Sequence, residues 1–262
     1  MTVARRLKQL AKWGIERTPG LNRLLLASAG YAVLTRDEAE SLNREMISGW
    51  HSERSVRRQE RAYDRLLAEL RAGRPRVDLS VGAQAIAATG IIAPSLLEVG
   101  CGNGYYSEVF ELLLHAVAYT GVDYSAAMVA SARRRYRDRN FYIGDATKLQ
   151  FGDSEFDIVF NGVSLMHILA YEAAIRESSR VARSHVVFHS VPIFDSHDSV
   201  YLRKYAYGGP VVEMIFDRRA LENVFAKEGL AVVETWPATP YDVAAVVGTH
   251  SYGLTYLCEK RR

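Results

Sequence analysis

The sequence predicts an α/β fold built on a mostly parallel sheet with helices on both faces. Two observations carry this. Between residues 95 and 193, short apolar runs alternate with helical patterns, as strands alternate with crossover helices in a sheet buried on both sides. The first of those runs opens into a loop with glycines at three alternate positions, Gly100, Gly102 and Gly104. A helical pattern follows directly, so the loop joins strand to helix where open sheets bind ligands.

Residues 1–94 read as helical and irregular. The first 23 residues hold Arg5, Arg6, Lys8, Lys12, Arg17 and Arg23 against Glu16 alone. That surplus of five, within a net charge of +3, leaves the rest of the chain at −2. The plainest use of such a leader is a solvated helix face. The alternative is contact with an anionic membrane surface or an acidic protein. Residues 24–30 are apolar but too short, and too closely preceded by charge, for a signal peptide. No stretch approaches the roughly 20 apolar residues of a membrane span. Over 55–71, Val56, Tyr63, Leu66, Leu67 and Leu70 share one helix face, and Gly73 and Pro75 end it. Residues 78–90 form a small-residue helix that packs closely.

The strands are expected at 95–99, 119–123, 140–143, 156–160 and 185–191, with helices at 105–115, 125–137 and 171–181. A loop-rich aromatic stretch follows over 194–210. Then come a helix near 217–228 stopped by Gly229, a strand at 230–236 and a last strand at 254–259. The organisation is a helical N-terminal extension or cap, 1–78, and a ligand-binding domain, 79–262. Two cysteines, Cys101 and Cys258, make no disulfide framework and have no metal-ligand company, so a reducing cytoplasm is the expected compartment. A charge of +3 is too small to argue for nucleic acid.

The chemistry starts at Leu96-Leu97-Glu98-Val99-Gly100-Cys101-Gly102-Asn103-Gly104. Glycines there let the backbone turn sharply and let a ligand lie against bare peptide. The next strand ends in Asp123, an acid placed to accept from both hydroxyls of a ribose. A nicotinamide or flavin loop wants a third glycine at 105, where Tyr105 stands, and a P-loop wants Gly-Lys-Ser/Thr, which is absent.

The segment 96–110 resembles motif I of the class I S-adenosylmethionine-dependent methyltransferases: apolar strand, acid, apolar residue, G-x-G-x-G. The resemblance extends over roughly residues 80–261. It implies a Rossmann-like, seven-stranded, mostly parallel sheet whose last strand is antiparallel, and S-adenosyl-L-methionine as cofactor. By the same resemblance Glu98 organises the methionine amino group and Gly100, Gly102 and Gly104 lie along the cofactor. Asp123 holds the ribose, and Tyr124 or Met128 covers the adenine. Asp145, followed by Ala146, accepts from the adenine amino group, and Asn161 lies near the methionine. Asp157 reads instead as a structural residue at a strand start.

Methyl transfer from a sulfonium needs the acceptor held in line, and a hydroxyl acceptor is helped by a neutral imidazole. His189 and His167 are the candidate bases. His115 reads as a surface or packing residue, and His197 lies in a loop. Asn161 is followed by Gly162-Val163-Ser164, without the acids of metal-dependent transfer, so no metal is expected. The same stretch lacks the Asn/Asp-Pro-Pro-aromatic loop of enzymes acting on DNA bases. The basic run 133–139 reads as solvated. Trp50, His51 and Tyr63, with Tyr201 and Tyr205, are the candidate acceptor contacts. The expected activity is methyl transfer to a hydroxyl of a small molecule, such as a sugar, polysaccharide precursor or natural product. The alternatives are N-methylation of a small amine, or a non-catalytic cofactor-binding subunit docking on a membrane or partner enzyme. The oligomeric state stays open.

Overall fold

The computed structural model describes residues 31–50, 53–114, 116–206 and 209–261. The basic segment 1–23, His51, His115 and the side chain of Trp50 lie outside the described residues. Strand β1 (Ala32–Leu34) leads into helices α1 (Arg36–Trp50), α2 (Glu53–Arg71) and α3 (Val77–Ala87). The alternating region follows: β2 (Ser95–Val99), α4 (Tyr105–Leu114), β3 (Ala118–Asp123), α5 (Ala126–Arg135), β4 (Asn140–Ile143) and β5 (Phe156–Gly162). A 3-10 turn (Leu165–His167) and α6 (Tyr171–Val181) lead to β6 (Ala182–Phe194), then β7 (Val200–Ala206) and β8 (Gly209–Asp217). The chain closes with α7 (Arg218–Lys227), β9 (Leu230–Pro237), α8 (Ala244–Val247) and β10 (Tyr252–Lys260).

Seven strands lie in the order β4-β3-β2-β5-β6-β10-β9. Pairings from β4 through β6 are parallel, and β10 is antiparallel to both β6 and β9. This is the sheet the sequence predicts. Its central strands β2, β5 and β6 are mostly apolar because successive side chains feed opposite cores. Leu97, Val159 and Val186 pack with Ile175 of α6 and Phe225 of α7. Their neighbours Leu96, Ile158 and Val187 pack with Leu79 of α3 and Phe110 of α4 on the other face. Local signals close the helices. The Ser125 hydroxyl accepts from Met128 N–H at the start of α5, and Asp217 accepts from Arg219 and Ala220 N–H at the start of α7. Gly229, at φ +77°, follows the end of α7.

The stretch 194–210 departs from its loop-rich reading. It holds most of an antiparallel pair, β7 with β8, extended by β1 on the outer edge. The last two residues of β8 pair in parallel with the end of β6, Phe194 beside Asp217. Leu202 and Ile215 bury with Phe194 and Val243 in a small core of their own. The aromatic residues of 201–205 alternate with these core positions, a strand signal masked by the surrounding glycines. This flap stands at the carboxyl end of β6 and lines the same cavity as the glycine loop.

Three minor readings resolve here. Asp157 accepts from the N–H and hydroxyl of Ser95 at 2.9 and 2.7 Å and pairs with Arg183, a structural role. The run 133–139 is partly tied down rather than simply solvated. Arg135 pairs with Asp64 of α2 at 2.6 Å, Arg139 with Glu111 of α4, and Arg133 donates to the Phe141 carbonyl at 2.9 Å. Cys101 and Cys258 are both free and buried. Among the described residues no helix is long and apolar enough to cross a membrane.

Candidate active site

The glycine loop has a backbone that other residues resist. Gly100, Gly102 and Gly104 sit at φ +76°, +53° and +80°, where a side chain strains the chain. Space is short as well. A Cβ on Gly100 would stand 2.5 Å from the Ser164 Cβ, and one on Gly104 would stand 2.7 Å from the Phe141 ring. The Gly100 and Cys101 N–H groups both donate to the Val122 carbonyl, at 2.8 and 3.0 Å, which holds the loop over β3.

Asp123 completes that hold. One carboxylate oxygen accepts from Gly102 N–H and the other from Ser125 N–H, both at 2.8 Å. The acid therefore staples the loop to the start of α5, while its side chain still lines the cavity. Glu98, at the end of β2, is buried and accepts from the Tyr119 hydroxyl. Burial pushes its pKa well above the ordinary carboxylate value. The Tyr119 hydrogen bond opposes that shift and the Asp123 charge adds to it. Glu98 faces the cavity near Arg76 and Asp78, an ion pair at the start of α3 that also lines it.

One cavity of about 1100 Å³ runs from this loop to the flap. Tyr124, Met128, Asp145 and Ala146 line it beyond Asp123. Met128 is buried, whereas Asp145 is exposed and accepts from Thr147 N–H and hydroxyl at 2.8 Å. Tyr63 of α2 stacks on Tyr105, ring centroids 3.7 Å apart. That contact places Tyr63 at the glycine-loop end of the cavity, away from Tyr201 of the flap. Tyr201 of β7 lines the far end, but Tyr205 is 65% exposed and outside the lining.

Two candidates fall elsewhere because of strand parity. Phe160 faces the α3 and α4 side, so its neighbour Asn161 turns to the α6 side. There its amide donates to the Ser178 hydroxyl at 3.2 Å, outside the cavity lining. His189 sits within β6, which continues to Phe194, and is not at a strand end. Its ring is buried against Phe160, Tyr106 and Gly82 of α3, and Nδ1 hydrogen-bonds the Thr255 hydroxyl at 2.9 Å. Burial lowers its pKa to about 4. It is outside the lining, and an imidazole so placed packs the sheet instead of meeting an acceptor.

His167 does face the cavity. It closes the 3-10 turn after β5, and its Nδ1 donates to the Val212 carbonyl at 2.8 Å. That bond puts the proton of the neutral ring on Nδ1 and the basic lone pair on Nε2. Burial lowers the His167 pKa, opposed by the Glu213 charge, with Lys204 adding to the fall. Nε2 stands 3.7 Å from Glu213 of β8. Glu213 is buried, pairs with Lys204 of β7 and accepts from the Tyr241 hydroxyl. All four side chains line the same end of the cavity. Val163, just past β5, and Ser190, within β6, also line the cavity and hold φ of +51° and +57°. Strain of that kind in residues without a glycine's freedom persists where surrounding structure enforces it, commonly at working sites.

Sequence reasoning missed Glu213, Lys204, Tyr241 and the Arg76–Asp78 pair. One signal was available: Glu213 is the lone acid in the apolar run Val211-Val212-Glu213-Met214-Ile215-Phe216. A charge inside such a run is buried and partnered, or lines a site.

Residues 97–189 match the family model described as "Methyltransferase domain", from β2 to His189 in β6. The demethylmenaquinone methyltransferase of Roseiflexus sp. (strain RS-1) is 35% identical over 89 residues, 33% of this chain and 37% of that protein. The phthiotriol/phenolphthiotriol dimycocerosates methyltransferase of Mycobacterium tuberculosis (strain ATCC 25618 / H37Rv) is 38% identical over 68 residues, 25% of each chain. The chain thus matches about a third and a quarter of the lengths of these relatives. Two solved structures share the fold. A S-adenosylmethionine-dependent methyltransferase from Clostridium acetobutylicum ATCC 824 has a TM-score of 0.54 at 12% identity, covering 78% of this chain and 99% of that one. The 1,6-didemethyltoxoflavin-N1-methyltransferase of Burkholderia thailandensis has 0.53 at 15% identity, covering 77% and 88%. The strand order, the glycine loop and the acid at the end of β3 agree with that match: residues 97–189 resemble a methyltransferase domain, and the chain has the fold of the class I S-adenosylmethionine-dependent methyltransferases.

Proposed function

We propose that the chain transfers a methyl group from S-adenosyl-L-methionine to a hydroxyl of a small molecule, with His167 as the base. The observation that carries this reading is the single cavity joining the positive-φ glycine loop to His167. The residues at the loop end fit the cofactor. Gly100, Gly102 and Gly104 leave bare peptide, Asp123 supplies a carboxylate for ribose hydroxyls, and Tyr124 and Met128 flank the position of the base. Glu98, Asp78 and Arg76 offer both signs of charge for the methionine amino and carboxylate groups. When bound, that cofactor supplies an electrophilic methyl on a positively charged sulfur.

The protein's own contribution is position, dryness and one proton. Within the segment before residue 79, α2 acts as a cap, with Gln59 and Tyr63 closing over the glycine loop. His167 is neutral near pH 7, because burial holds its pKa below the ordinary value, so Nε2 accepts the proton of an acceptor hydroxyl. The flap strands β7 and β8 supply the acceptor wall. A binding-only role is disfavoured by the polar cluster around His167, which sits beyond the loop that cofactor binding needs. Titration calorimetry with S-adenosylhomocysteine tests the cofactor half: micromolar binding supports the reading, and absence of heat with that ligand overturns it. Isotope-labelled methyl donor with a metabolite extract, followed by mass spectrometry, tests transfer. His167→Gln is expected to lower kcat by about 10²–10⁴-fold while leaving the S-adenosylhomocysteine Kd unchanged.

A further inference from the structure

The acceptor end of the cavity has a charge arrangement that a plain alcohol does not need. Lys204 and Glu213 come from adjacent strands of the flap, and the buried Glu213 is the anchor of the pair. Tyr241, from the loop before α8, takes the other carboxylate oxygen. A buried carboxylate with two donors is held in place, and so is the ammonium bound to it. An ammonium has three N–H donors, so the one committed to Glu213 leaves two. Lys204 lines the cavity on the same side as His167. Arg36 of α1, paired with Glu40 at 3.0 Å, lines the same cavity and acts electrostatically on Tyr201 of the flap. Tyr201, Ile168 and Leu169 line the cavity too and pack against one core, an apolar wall suited to a flat ring.

We propose that this end of the cavity takes a phenolic or enolic hydroxyl, which gives its proton to His167 Nε2 and its oxyanion charge to Lys204. This rests on the methyl-transfer reading above and narrows its acceptor. The bookkeeping of the step is closed. The O–H bond breaks and its proton forms an N–H bond on His167. The oxygen lone pair forms the new O–C bond, and the C–S bonding pair returns to sulfur, which becomes a neutral thioether. A neutral imidazole is a weak base, so a partner that stabilises the oxyanion matters most when the hydroxyl is itself acidic enough to share its proton. Glu213 acts here as a positioning residue that holds Lys204 beside the reacting oxygen.

The test uses the full chain saturated with S-adenosylhomocysteine and 4-nitrophenol as probe, because only its anion absorbs visible light. The S-adenosylhomocysteine Kd is measured first by calorimetry. Failure at that step overturns the methyl-transfer reading, and this proposal with it. With the cofactor end filled, bound 4-nitrophenol is expected to ionise at least about tenfold more readily than in water, one unit of pKa. Lys204→Met combined with Glu213→Gln removes both charges together, which avoids leaving either buried alone, and is expected to abolish that gain. Lys204→Arg keeps the charge and is expected to retain most of it. Thermal melts of both variants confirm folding. Three results overturn the proposal while leaving cofactor binding intact: no binding of the probe, a bound probe that ionises as in water or less readily, or an ionisation gain that survives the double substitution.

Discussion

Gly100→Ala tests the geometry on which the cofactor end depends. The backbone there is left-handed, at φ +76°, which costs a residue with a Cβ about 1–2 kcal/mol. The added methyl would also stand 2.5 Å from the Ser164 Cβ and 2.9 Å from its Oγ. Overpacking of this kind costs about 1–3 kcal/mol. Ser164 cannot retreat cheaply, because its hydroxyl donates to the Val99 carbonyl at 3.0 Å. The sum is about 2–5 kcal/mol, or a fall in Tm of about 5–15 °C for a domain of this size. The two parts separate in a double-mutant cycle with Ser164→Gly, which removes the clashing atoms and leaves the left-handed strain. The cycle is expected to give a favourable coupling of about 1–3 kcal/mol between the sites. Thermal melts of the four proteins without ligand provide the numbers. A Gly100→Ala protein that melts with the wild type, or a coupling near zero, would refute the close approach of β2 and the turn after β5.

Asp123→Ala removes the acceptor for two N–H groups as well as the carboxylate proposed to hold the ribose. It should weaken S-adenosylhomocysteine binding by about 1–3 kcal/mol and also lower the ligand-free Tm; a changed Kd with an unchanged Tm would contradict the staple to Gly102 and Ser125. Asn161→Ala should cost about 1 kcal/mol of stability through its lost bond to Ser178 and leave the Kd alone, which calorimetry decides. His189 has a folded pKa of about 4 against about 6.5 unfolded, so below pH 6.5 the unfolded state binds more protons. Stability should fall by about 2 kcal/mol between pH 7 and pH 5, and denaturant melts of His189→Asn should show a shallower fall. His167 must be neutral to accept a proton, and its pKa lies below its ordinary value. The rate should therefore be flat from pH 7 upward and drop only on the acid side of 6.5. A rate still climbing above pH 7.5 would contradict that assignment.

The sequence by itself determined the glycine-loop end of the cavity. Alternating apolar runs set the parallel sheet, and three glycines with an acid one strand later marked the loop. Both signals are local: a strand is buried on two faces only if nearly every residue is apolar, and positive φ selects glycine wherever the chain must take it. The flap end was decided by tertiary structure. Side-chain parity sent Asn161 and His189 to the faces of the sheet, because β6 runs on past the residue where its apolar signal weakens. His167, Glu213, Lys204 and Tyr241 come from a turn, two flap strands and a loop as much as 74 residues apart in numbering, 167 to 241. No periodicity links them. Only the docking of β8 onto the end of β6 places a buried carboxylate and its ammonium beside the imidazole.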